Sequence, residues 1–209
     1  MKITDLYRRE GYPIVITVLA LVSFTASCAV LLVPEWFDQL CLQTNADHMW
    51  QYMTGVLIHH IHPWWVMWIH LGMNFMSLIP LGIIVEKVLG SRMTLYIILT
   101  EWFVTAVVFQ LVSSKIPTTA CGISTIEYAL AIVGFYCIYV TLRTGNTNTR
   151  FYKQPLLYYF LFELLGMLGM LNPAKGIVPW SLHISGVIVG FLFLLILRKR
   201  IKCAVNRSN

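Results

Sequence analysis

Ser124, His183 and the pair His70 and Asn74 are the residues of this chain whose types could together do hydrolytic chemistry. A histidine that accepts the proton of a serine hydroxyl makes the oxygen a nucleophile towards a carbonyl carbon. The tetrahedral oxyanion that follows needs donors already in place. The Ser124 backbone N–H at a helix N-terminus, the His70 ring and the Asn74 amide are three such donors. Ser124 lies in Ala120-Cys121-Gly122-Ile123-Ser124-Thr125-Ile126-Glu127-Tyr128-Ala129, at the mouth of an apolar run. A Gly-x-Ser there is weak evidence by itself, because serines commonly cap helices. What decides is which polar residues the surrounding elements bring to one place.

Those elements read as membrane helices. Hydrophobic residues make up 58% of the 209 and charged residues 11%, with mean hydropathy +0.72. No soluble domain carries that balance. Crossing the hydrocarbon takes about 20 apolar residues, and six runs come near that length: 12–34, 66–86, 93–113, 122–142, 155–171 and 179–197. The fifth is short and ends at Asn172-Pro173, where proline stops a helix. The first is too long for a signal peptide and has no convincing cleavage site, so it reads as a permanent helix. The organisation is a basic leader over 1–11, one all-α membrane domain over 12–198 and a basic tail over 199–209. Residues 35–65 are too aromatic for a solvated loop and read as one or two short helices lying in the outer leaflet.

With six spans, all of the 15 lysines and arginines except Lys115 and Lys175 fall on one side. Basic residues mark the cytoplasmic side, so both termini are expected there, in what reads as a bacterial cell membrane. The net charge of +6 follows from this asymmetry and from anionic lipid headgroups, and calls for no nucleic acid. Spans two, four and six then all run inwards from outside. His70 and Asn74, Ser124, and His183 occupy their first turns and so share one depth below the outer surface. Gly186 and Gly190 make a small-xxx-small face on span six, on the same side as His183, against which another helix can approach closely. If span four packs there, His183 reaches Ser124. On these grounds the cluster is either an intramembrane hydrolase site or a polar patch lining a channel or helix interface.

His59, His60 and His62 invite a metal site. However, no carboxylate or cysteine stands at a matching offset and Pro63 interrupts the face, so no metal is assigned. Glu101, Glu127 and Glu163 lie in spans three, four and five, and each must be protonated, paired or facing water. A channel or proton-coupled transporter built on them is disfavoured, since they lie on three helices without a repeat or a broken helix. Of the five cysteines, Cys41 and Cys121 fall on the outer side. A disulfide between them is one reading that sequence cannot establish, and small buried thiols are the plainer one.

In these same residues the chain resembles the rhomboid family of intramembrane serine proteases. Trp50 with Thr54 and His59 resembles the family's first-loop segment, and His70-x-x-x-Asn74 its second-helix motif. Glu86-Lys-Val-Leu-Gly90-Ser91 resembles the segment closing that helix. Gly122-Ile-Ser124-x-x-x-Tyr128-Ala129-Leu130 resembles the Gly-x-Ser helix, and His183-x-x-Gly186-x-x-x-Gly190 the sixth-helix motif. The resemblance implies a six-helix rhomboid-like bundle with a Ser124–His183 dyad in a water-filled cavity open to the outside. It implies an oxyanion hole of His70, Asn74 and the Ser124 N–H. Tyr128 would pack on the His183 ring, with Gly122, Gly186 and Gly190 in support. Substrates would be single-span membrane proteins, cleaved in or near the transmembrane segment after a small residue, with no cofactor. The alternative within the family is an inactive protein that binds client transmembrane helices. The chain departs from the family pattern in four ways. Thr125 replaces the usual glycine, adding bulk where spans four and six would meet. Gln51 stands where arginine is common. About six extra residues lie near His60–Trp65, and Glu127 is an added carboxyl. The short fifth span and its exit loop fit a lateral gate, and the sequence does not set the oligomeric state.

Overall fold

The computed structural model describes residues 12–44, 48–59, 63–115, 118–144, 156, 157, 159–161 and 177–207. Its helices are α1 (Ile14–Leu32), α2 (Trp36–Leu40), α3 (Gln51–Thr54), α4 (Trp64–Leu89), α5 (Ser91–Ser113), α6 (Ser124–Arg143) and α7 (Ile177–Arg207). Among the described residues, five helices are long and apolar enough to cross a membrane: α1, α4, α5, α6 and α7. These are spans one to four and six of the sequence reading. The fifth expected span, with Glu163 and Asn172-Pro173, lies mostly outside the described residues, where 156, 157 and 159–161 are helical. A helical rhomboid-like bundle is the fold class.

One helix is interior to the others. In α6, 72% of the most apolar stretch is buried, against 28–44% in the remaining four. It packs against α7 on one side and α4 on another. The α6–α7 contact is made by backbone. A Cβ on Gly186 would overlap the Thr125 carbonyl oxygen, and one on Gly190 would stand 2.8 Å from both Ala129 O and Ile132 Cβ. Any side chain at these two positions would push the helices apart.

The first helix is fastened at its start. Glu86, near the end of α4, accepts the N–H groups of Val15 and Ile16 at 3.0 Å each and the Ser91 hydroxyl at 2.6 Å. These N–H groups have no partner within α1, and a carboxyl group there also meets the positive end of the helix dipole. At the same end of the molecule Arg200 Nη2 donates to Leu89 O at 3.2 Å. The helix α7 continues unbroken to Arg207, through the segment expected as a tail, and Ile201 and Val205 are buried in the core.

At the opposite end the aromatic stretch forms α2 and α3, as expected, together with a strand pair. β1 (Leu42–Gln43) runs antiparallel to β2 (Thr119–Ala120), with Leu42 opposite Ala120 and Gln43 opposite Thr119. Gln51 is buried: its amide donates to Asp38 O at 3.0 Å and accepts the His48 N–H at 3.1 Å, joining α2 to α3.

Gly186→Val and Gly190→Val are each expected to destabilise the protein by about 1–3 kcal/mol through overpacking. Gly72→Ala, at a position with nothing within 4 Å, is expected to have little effect. Thermal unfolding in detergent measures all three.

Candidate active site

The approach to α6 sets the position of Ser124. Gly122 has φ +116°, a conformation other residues rarely adopt, and its N–H donates to Gly55 O at 3.1 Å. The chain then turns into α6 with Ser124 as its first helical residue, so the Ser124 N–H has no partner within the helix. The turn is pressed against α4. A Cβ on Gly122 would lie 3.1 Å from His70 Cε1, 3.4 Å from His70 Nε2 and 3.8 Å from Asn74 Nδ2. His70 and Asn74 thus stand beside the Gly-x-Ser segment.

The close α6–α7 packing carries His183 to the same point. Ser124 Oγ lies 3.0 Å from His183 Nε2. The Tyr128 ring, one turn along α6, stacks on the imidazole with centroids 4.6 Å apart and planes at 25°. Tyr159 meets Tyr128 edge-on at 6.2 Å. His183 Nδ1 is buried and has no hydrogen-bond partner among the described residues. Among the described residues the ring is therefore oriented by stacking and by Ser124, with no third polar group. A cavity of about 290 Å³ is lined by His70, Cys121, Gly122, Ser124, Thr125 and His183, among others.

A polar relay that the sequence did not reveal lies behind Asn74. Asn74 Nδ2 donates to His59 Nε2 at 2.8 Å, and His59 Nδ1 lies 3.0 Å from Ser27 Oγ on α1. Because Nε2 accepts, the proton of neutral His59 sits on Nδ1 and is donated to Ser27. Burial, reinforced by the neighbouring His70 ring, holds the His59 imidazole well below its usual range. His59 and His70 meet edge-on at 4.9 Å. His59 is thus engaged in the protein interior, while His60 and His62 lie outside the described residues.

The Rhomboid domain family model matches residues 46–200, about three quarters of the chain. This chain belongs to the rhomboid family. A search among curated proteins found no match. The match begins just before α3 and takes in every element from α3 to most of α7, so all the rhomboid motif positions read from the sequence fall inside it.

Two of the departures from the rhomboid pattern, Thr125 and Glu127, have structural explanations, as Gln51 has in the link between α2 and α3. Thr125 does not turn its hydroxyl into the α6–α7 contact; it reaches α5, with Oγ1 2.9 Å from Thr105 Oγ1. Thr105 Oγ1 is in turn 3.0 Å from Glu101 Oε1, and Ser185 Oγ on α7 is 3.1 Å from the same oxygen. Thr105 Oγ1 stands between the two, within hydrogen-bond distance of both Thr125 Oγ1 and Glu101 Oε1. Glu101 therefore ties α5 to the residue after Ser124 and to the residue two beyond His183. Glu127 accepts the Ser77 hydroxyl on α4, so it braces α6 against α4. Both acids are fully buried and serve helix packing.

Two outcomes are expected. Neutral His59 contributes its full stabilisation above the unfolded histidine value of about pH 6.5, and loses it as pH falls from there through the lower folded value. Thermal unfolding should shift downwards between pH 7.5 and 5, and His59→Gln should flatten that slope. Separately, Thr125→Val should cost about 1 kcal/mol by removing one buried hydrogen bond, with Thr125→Ser near the parent in the same melts.

Proposed function

We propose that this rhomboid protein is an intramembrane serine endopeptidase that hydrolyses peptide bonds in or near transmembrane segments of membrane proteins. The observation that carries the reading is the 3.0 Å approach of Ser124 Oγ to His183 Nε2 beneath a stacked Tyr128 ring, beside a cavity. Such a pair deep in an apolar bundle is costly unless something uses it.

In this reading His183 Nε2 takes the Ser124 proton as the oxygen attacks the scissile carbonyl. The oxyanion forms beside the Ser124 N–H, the His70 ring and the Asn74 amide. Asn74 keeps a second amide proton after donating to His59, and that relay holds the amide in place. The imidazolium then returns its proton to the leaving amine, releasing one product and leaving an acyl-Ser124 ester. Water enters the cavity, His183 takes its proton, and the ester is hydrolysed. No step requires a cofactor. The membrane setting, with both termini cytoplasmic and the cavity opening outwards, is supported by the distribution of basic residues. Substrates are then membrane-spanning proteins that reach the cavity laterally.

The test is fluorophosphonate labelling of the detergent-solubilised protein, beside cleavage of a model transmembrane substrate. Ser124→Ala is expected to abolish labelling. Both Ser124→Ala and His183→Ala should lower cleavage by at least about 10³-fold, with thermal unfolding close to the parent. Undiminished cleavage in either variant would exclude the dyad. A folded parent that neither labels nor cleaves would turn the reading towards an inactive protein that holds client helices.

A further inference from the structure

The register of the small sheet brings two cysteines face to face. With Leu42 opposite Ala120, the next pair outwards is Cys41 and Cys121. Cys41 is still extended, at φ −77° and ψ 156°. The Thr44 N–H donates to Thr118 O at 3.1 Å. Hydrogen-bonded pairs alternate along an antiparallel ladder. Thr44/Thr118 and Leu42/Ala120 are therefore the bonded pairs, and Cys41/Cys121 falls in a non-bonded position. In a regular ladder such a pair has its Cα atoms about 4.5 Å apart and its side chains closest, within the ~4.4–6.8 Å that a disulfide spans; in the structure both stand as free thiols. The side chains also share a face. Cys41 and Cys121 pack with Val30, Ile58 and Met67, whereas Leu42 and Ala120 pack into the other hydrophobic cluster.

We propose that Cys41 and Cys121 are joined by a disulfide that ties the first outer loop to the segment entering α6. The inference rests on the reading that this end of the molecule faces outside the cytoplasm, where such bonds persist. In forming, the two thiols give up two protons and two electrons to a disulfide of the outer compartment's thiol oxidants. That disulfide is reduced to two thiols by ordinary exchange. Burial raises the Cys41 thiol and, with Cys41 nearby, pushes Cys121 up to about 12. The thiolate is therefore scarce in the folded protein. The bond therefore forms as the chain folds. It lies one residue before Gly122, so it fixes the strand that carries the oxyanion turn.

Full-length protein in bacterial membranes is dissolved in SDS with N-ethylmaleimide, then reduced and treated with a polyethylene glycol maleimide. Two adducts per chain are expected from the parent and none from Cys41→Ser or Cys121→Ser, because the remaining partner is then blocked in the first step. Peptide mapping of unreduced parent should find the Cys41–Cys121 linkage. Reduction after unfolding, followed by refolding in reductant, should lower the melting temperature by about 5–10 °C. No adducts in the parent would overturn the bond. Exposed Met49, changed to Cys in a Cys41→Ser/Cys121→Ser background, tells which premise failed. If it reacts with an impermeant maleimide on intact cells, the loop faces outside and only the disulfide falls. If it does not, the orientation falls, and the bond with it.

Discussion

The bundle depends on two helix backbones being allowed to touch. Lipid tails offer no hydrophobic reason for one apolar helix to prefer another, so close packing must come from small residues and from hydrogen bonds. Gly186 and Gly190 provide the first: a methyl group at either would meet α6 backbone or Cβ atoms. This contact brings an imidazole within 3.0 Å of a serine hydroxyl, with no third polar side chain among the described residues holding it. The tolerance is narrow, because a shift of an ångström would separate the pair. The Tyr128 ring, on the same helix as Ser124, stacks on His183 and makes the register of the contact and the orientation of the ring one property.

The second source of packing is the polar network, and it is arranged by helix pair. Glu86 joins α4 to α1, Glu127 joins α6 to α4, and Glu101 joins α5 to both α6 and α7. A carboxyl group within the membrane is expensive, and each of these is placed where it takes up donors from another element. Of the three acids considered for an ion path, Glu101 and Glu127 reach sideways to neighbouring helices, and Glu163 lies outside the described residues.

The spans were legible because length and hydropathy are local properties. The same is true of the Gly-x-Ser turn and the small face of α7. Their convergence could be reasoned from topology, since alternate helices run in the same direction. What could not be read were pairings between distant segments. The two-residue strands are too short to show alternation. The partners of Glu101 and Glu127 lie on other helices, and nothing in either local sequence marks Thr105 or Ser77 as the counterpart. His59 stood in a histidine-rich stretch that drew attention to metals, whereas its bond to Asn74 depends on a loop folding back over α4. Replacement of the family glycine by Thr125 predicts added bulk between helices, whereas the hydroxyl goes to α5.

The cap that Glu86 places on α1 has a consequence for biosynthesis. Val15 and Glu86 are 71 residues apart, and α1 leaves the ribosome first. Until α4 follows it into the bilayer, the opening turn of α1 must keep its amide donors in the headgroup layer, where water satisfies them. Helix α1 is therefore not seated until α4, made after it, is complete. The hairpin of α4 and α5, with Ser91 on the same carboxyl group, is the template on which it settles.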